Sequence, residues 1–177
     1  IPLTMMRDGT PNGYSYITFN GTQYIIDWKV SGKPEDYRMN IHTPRGVKEE
    51  ESSSTPITVN FFNGSEQSEL SFRVLGETEW VKMDQVSKKD PFYSLIYERF
   101  NDFNSLKIKE SWENDSQLKD KSYPLIKRMY EANNSTHLWQ SKIGTSLTEG
   151  VHIIEVMVKD RYDREFKDYH SIRIVKD

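Results

Sequence analysis

Apolar and polar positions alternate with period two over most of the chain, most clearly in Gly150–Val175, GVHIIEVMVKDRYDREFKDYHSIRIV. His152, Ile154, Val156 and Val158 share one side of a strand, with Glu155 and Lys159 on the other. Phe166, His170, Ile172 and Ile174 repeat the pattern, with Lys167 and Arg173 opposite. Successive side chains on a strand point to opposite faces, so the spacing predicts a hairpin turning at Arg161–Arg164, with one dry face and one wet face. Such a hairpin needs a second apolar sheet to cover it.

Upstream, Tyr14–Phe19 and Thr22–Val30 flank Asn20-Gly21, the residue pair that suits a type I′ hairpin turn. Tyr37, Met39 and Ile41 follow the Gly32-Lys33-Pro34 turn, so residues 14–43 read as a small antiparallel meander. Residues 1–13 hold Pro2, Gly9, Pro11 and Gly13 and read as an extended lead-in or linker rather than a packed element. Residues 44–56, with Glu49–Glu51 and Ser52–Ser54, read as a loop that buries nothing. Strands are expected at Ile57–Phe61 and Leu70–Val74, around Asn63-Gly64-Ser65, and again at Trp80–Val86 and His137–Ile143. Asp90 is placed to cap, and Pro91 to open, a short helix over Phe92–Phe100. Residues 101–122 are polar and irregular, and Tyr123–Ala132 reads as a short helical turn. The expected fold is mostly β: an immunoglobulin-like antiparallel β-sandwich over 57–177 with a variable insertion at 101–134, preceded by the β-meander, with one or two short helices.

Ten Tyr and eight Phe suit this reading, because flat rings pack across neighbouring strands. A net charge of −3 gives no basic field to draw the chain to nucleic acid or an anionic membrane. No apolar run is long enough to span a bilayer as a helix. The absence of Cys excludes disulfides and thiolate metal sites without deciding the compartment. The chain opens Ile1-Pro2, and is expected to be a piece of a longer protein whose export signal lies elsewhere.

The search for chemistry returns little. His42, His137, His152 and His170 form no H-x-H or H-x-x-x-H pair, and His152 and His170 read as core-edge residues with one nitrogen satisfied. Asp168-Tyr169-His170 matches the D-x-H that opens binuclear phosphoesterase sites, but no Gly-Asp, Gly-Asn-His or Gly-His-x-His accompanies it, and a two-metal site needs about five or more ligands. There is no G-x-S-x-G and no Gly-rich phosphate loop. No catalytic, cofactor-binding or metal-ligating residue is assigned. Two weaker readings remain. Arg7, Asp8 and Tyr14 lie in a polar, turn-rich stretch suited to a domain junction. An exposed Trp139 beside His137, with Arg45 or Tyr37 nearby, would form a sugar-binding platform.

Several blocks resemble one family in sequence and order: RDGTPNGYSYITFNGTQY (Arg7–Tyr24), YRMNIHTPR (Tyr37–Arg45), ITVNFFNGS (Ile57–Ser65), WVKMDQVSKKDPF (Trp80–Phe92), STHLWQSKI (Ser135–Ile143) and EGVHIIEVMVKDRYDREF (Glu149–Phe166). They resemble the C-terminal domain attached to calcineurin-like phosphoesterases of Bacteroidetes type. Residues 101–134 match least. The resemblance implies a parent that hydrolyses phosphoric esters with two divalent metals, all held by a preceding catalytic domain. It further implies that this chain is an accessory module whose partner is that catalytic domain, and that the parent is exported to the periplasm or cell surface. A carbohydrate- or cell-envelope-binding module is the alternative.

Overall fold

The computed structural model of the chain describes residues 5–105 and 129–176. Strands β1 (Gly13–Asn20) and β2 (Gln23–Val30) form a separate two-stranded sheet. Asn20 pairs with Gln23, so Gly21-Thr22 is the two-residue turn, and Gly21 alone takes a left-handed φ of 61°. A positive φ at the first central position alone is the pattern of a type II′ turn, not the expected type I′.

The remaining strands build two facing sheets. One runs β4 (Gly46–Lys48), β11 (Glu165–Val175), β10 (Gly150–Lys159), β6 (Glu69–Val74), β7 (Val81–Lys82). The other runs β3 (Met39–His42), β5 (Pro56–Phe61), β9 (Asn134–Lys142), β8 (Asp84–Lys89). The order β3-β5-β9-β8 opposite β11-β10-β6 is the A-B-E-D and G-F-C order of an immunoglobulin-type sandwich. Met39, Ile41, Val59, Phe61 and Trp139 from the second sheet meet Leu70, Phe72, Ile154, Val156 and Ile172 from the first in one buried core.

The C-terminal hairpin forms as the alternation predicts, with Ile154 opposite His170 and Val158 opposite Phe166. Four other expectations need correction. The third strand of the meander, β3, leaves the hairpin and pairs with β5, because its alternating Met39 and Ile41 find the sandwich core there. The loop expected over 44–56 contains β4, parallel to β11, and a 3₁₀ turn at Glu49–Ser54. Its Ser52 is fully buried: the hydroxyl donates to Glu49 C=O at 2.7 Å and accepts from Leu147 N–H at 2.9 Å, so a short polar residue is satisfied inside. The single strand expected at Trp80–Val86 is two, β7 and β8, on opposite sheets, and the crossing is made at Met83, 2% exposed. The lead-in is packed from Gly9 to Pro11, which are buried.

Helix α1 (Pro91–Ser105) joins β8 towards β9 and runs past the expected end at Phe100. Asp90 caps it, its Oδ1 accepting from Tyr93 N–H at 2.8 Å and its C=O from Ser94 N–H at 3.0 Å. Most of the Tyr123–Ala132 stretch expected as a helical turn lies outside the described residues, and 129–132 are irregular. Strand β9 starts at Asn134, ahead of the expected His137.

Candidate functional site

Strand β5 turns Val59 and Phe61 inward, so Asn60 between them faces out of the four-stranded sheet. It is nonetheless fully buried, because Asp90 and the lead-in cover it. Its Nδ2 donates to Asp90 Oδ2 at 2.9 Å and to Asp8 C=O at 3.3 Å. That leaves Oδ1 to accept from His137 Nδ1 at 2.8 Å. His137 Nε2 then lies 3.3 Å from the Thr10 hydroxyl and 3.4 Å from Asp8 Oδ2. Asp8 Oδ1 accepts from Thr10 N–H at 2.9 Å. His42 Nε2 approaches Asp90 Oδ2 at 3.4 Å as an ion-pair contact without a hydrogen bond's alignment. Gly9, at φ 86°, sits so close that a Cβ there would fall 2.1 Å from Asp90 Cγ. The lead-in is thus clasped onto the outer face of the sheet.

Electrostatics agree with a closed clasp. Burial pushes the Asp8 carboxyl up, but the His137 hydrogen bond, the Thr10 N–H and the charge of His137 outweigh it and hold it at about 2. Burial likewise pushes Asp90 up, and the contacts from His42, Asn60 and Tyr93 N–H bring it below the usual carboxylate range. Both carboxylates are bonded within the fold, so the arrangement holds polypeptide in place.

The sequence-predicted site residues divide. Arg7, Asp8 and His137 come together around the clasp: Arg7 Nε donates to Glu131 C=O at 2.8 Å, and its guanidinium lies 5.5 Å from the centre of the Tyr130 ring. Tyr14 is 57% exposed on β1, and Arg45 is exposed in the β3–β4 connection. The expected platform of Trp139 beside His137 does not exist. Trp139 is 2% exposed, packed edge-on to Phe61 and against Gly64, where a Cβ would meet its ring at 2.5 Å. Strict alternation would put His137 and Trp139 on one face. Between the pairs Val86–Leu138 and Lys88–Ser135, β9 uses one more residue than β8. This bulge re-aims His137 outward to the clasp while Trp139 enters the core. Sequence reasoning missed Thr10 and Asn60 as clasp members. The signal was Asn60 inside the apolar run ITVNFF, a polar group that demands a buried partner.

A second polar knot fastens the β1–β2 hairpin. Asp27 receives Arg38 at 2.8 Å and Arg164 at 3.0 Å, and Asp160 Oδ2 takes Arg164 at 2.7 Å. Burial pushes Asp27 up, and the Arg164 and Arg38 hydrogen bonds pull it below its ordinary value. Ile26 N–H donates to the Tyr162 hydroxyl at 3.0 Å, and Asn63 Nδ2 to Ile26 C=O at 2.8 Å. His152 behaves as expected, with Nε2 bonded to Thr148 C=O at 2.8 Å. His170 is held below its usual range by burial and then by the neighbouring His42.

Among the described residues no group of three or more His, Cys, Asp or Glu side chains is placed to hold a metal ion. The His42–Asp90 and His137–Asp8 pairs do not fit the two divalent metals of a phosphoesterase, since Asn60 and backbone N–H groups occupy their carboxylates. No described helix is long and apolar enough to cross a membrane.

Fold and site together define a β-sandwich module that clasps its own N-terminal segment. A family model described as the C terminal of calcineurin-like phosphoesterase matches residues 1–166, and the chain belongs to that family. No curated protein and no solved structure gave a match.

Proposed function

We propose that this chain is a non-catalytic accessory domain of a metal-dependent phosphoric-ester hydrolase, docked on the catalytic domain of the same polypeptide and fixing its orientation. The family supports a phosphoesterase parent. The observation that carries docking is the clasp. A flexible tether would leave its polar groups in water, whereas Thr10 is 3% exposed and Asp8 is bonded on both carboxylate oxygens. Residues 8–11 are therefore held on the sandwich surface and are not a loose tether.

The test is made in the parent enzyme, by deleting everything after Gly13 and assaying phosphoester hydrolysis and thermal unfolding. Lower rate and lower melting temperature of the catalytic domain are expected. Unchanged values for both remove the docking reading.

A further inference from the structure

The β1–β2 hairpin leaves the turn end of its apolar face uncovered. Its register places Ile17 opposite Ile26 and Phe19 opposite Tyr24 on one face, with Trp28 following. Ile17 is 52% exposed, Phe19 72% and Tyr24 49%. Five of the thirteen exposed large apolar side chains among the described residues lie on this hairpin, Tyr14 and Tyr16 on its opposite face, and no other described element carries more than two. β1 is also an edge strand of eight residues, GYSYITFN, with no charge and no proline. Edge strands that face water are normally guarded by charge, proline or a bulge, and a contiguous exposed apolar patch marks an interaction surface.

We propose that this face, Ile17, Phe19 and Tyr24, with the β1 edge, is the surface that packs against the catalytic phosphoesterase domain of the same polypeptide. The inference rests on the docking reading above and names its surface. The occupant follows from where the incoming chain arrives. Met5 bridges to Pro11, with Met6 N–H donating to Thr10 C=O at 2.7 Å and Gly9 N–H to Met6 C=O at 3.0 Å. This reversal brings Met5 beside the root of β1. Met5 thus lies at the root end of the face, the end of the Ser15–Trp28 pair, while Phe19 and Tyr24 occupy its far end at the turn. The other side of the hairpin is already held, through Asp27 to Arg38 and Arg164. The hairpin is thus fastened through β2, and its apolar face and outer edge are left to be covered.

Hydroxyl-radical footprinting of the intact parent protein tests this, with Tyr169 of β11, 55% exposed, as the internal reference. Phe19 and Tyr24 are expected to oxidise at least about fivefold more slowly than Tyr169, although Phe19 is the more exposed in this module. In an Ile17→Ser/Phe19→Ser parent, Tyr24 oxidation is expected to rise towards the reference rate. Sedimentation at two concentrations accompanies the labelling. Protection that persists in the monomer supports the proposal. Protection that vanishes as a dimer dissociates makes a second copy the occupant and overturns it, as does labelling of Phe19 and Tyr24 at the reference rate. If deletion after Gly13 lowers rate and melting temperature while the hairpin labels freely, docking stands and this surface falls. If neither effect is seen, both fall.

Discussion

Asp8 sets how the lead-in responds to acid. Its pKa falls from 3.8 to about 2 on folding, so the folded state binds its proton less readily than the unfolded state. The sign is that of a depressed carboxylate: its stabilisation is complete above pH 3.8 and is lost as pH falls through about 2. The full shift corresponds to roughly 2 kcal/mol, and screening at a side chain 33% exposed reduces this to roughly 1 kcal/mol. Urea denaturation between pH 5 and pH 2 is expected to show stability falling more steeply in the native chain than in Asp8→Asn, and parallel curves would contradict the assignment. At this scale the sequence is half legible. Asp90-Pro91 announces a helix start by local chemistry, and the cap is there. That the same carboxylate also holds Asn60, thirty positions upstream, depends on tertiary approach and leaves no local mark. The expected pairing of Trp139 with His137 on one face fails for the same reason: the bulge between Ser135 and Leu138 turns His137 away, and period-two counting does not register an extra residue.

Among elements, the hairpins are legible and their partners are not. Gly21 marks a turn because only a residue without a Cβ takes φ 61° there at no cost. Alternation in Met39–Ile41 or Trp80–Val86 shows that a strand has a dry face without saying which sheet receives it. β3 thus left the expected meander, and Met83 split one expected strand into two. What joins the first hairpin to the sandwich is polar and long-range, centred on Asp27, whose side chain is 9% exposed between Arg38 and Arg164. Removing that carboxylate takes from Arg38 its counter-charge at 2.8 Å and leaves Arg164 with Asp160 alone. Asp27→Ala is expected to cost about 2 kcal/mol, below the range for a fully buried pair because Arg164 is 29% exposed. Amide hydrogen exchange over Gln23–Val30 is expected to speed up well before exchange in β10 does. Equal acceleration in both would mean that the hairpin is not separately fastened.

For the molecule as a whole, the question is whether residues 5–31 are a preface or part of the fold. A sandwich of this kind normally leaves the outer faces of its sheets to water. Here the outer side of the four-stranded sheet carries Asn60 fully buried and Leu138 fully buried, under a cover that includes Asp90 and the lead-in. The same cover is stitched sideways, with Asn133 N–H donating to Arg7 C=O at 2.9 Å. Removing residues 1–31 would strip Asp8 from Asn60, Asp8 and Thr10 from His137, and Asp27 from Arg38 and Arg164 at once. At about 1–3 kcal/mol for each polar group left unpaired, the loss is about 5 kcal/mol, or roughly 10–20 °C in melting temperature for a domain this size. Calorimetry of a chain starting at Gly32 is expected to show that drop, or no cooperative transition at all. A melting temperature within a few degrees of the intact chain would return the segment to the status of a linker. The physical point at issue is that a segment rich in Gly and Pro is not thereby loose: Gly9 lets the backbone come against Asp90 where any side chain would be refused, so the residues that read as punctuation are the ones that allow the closest packing.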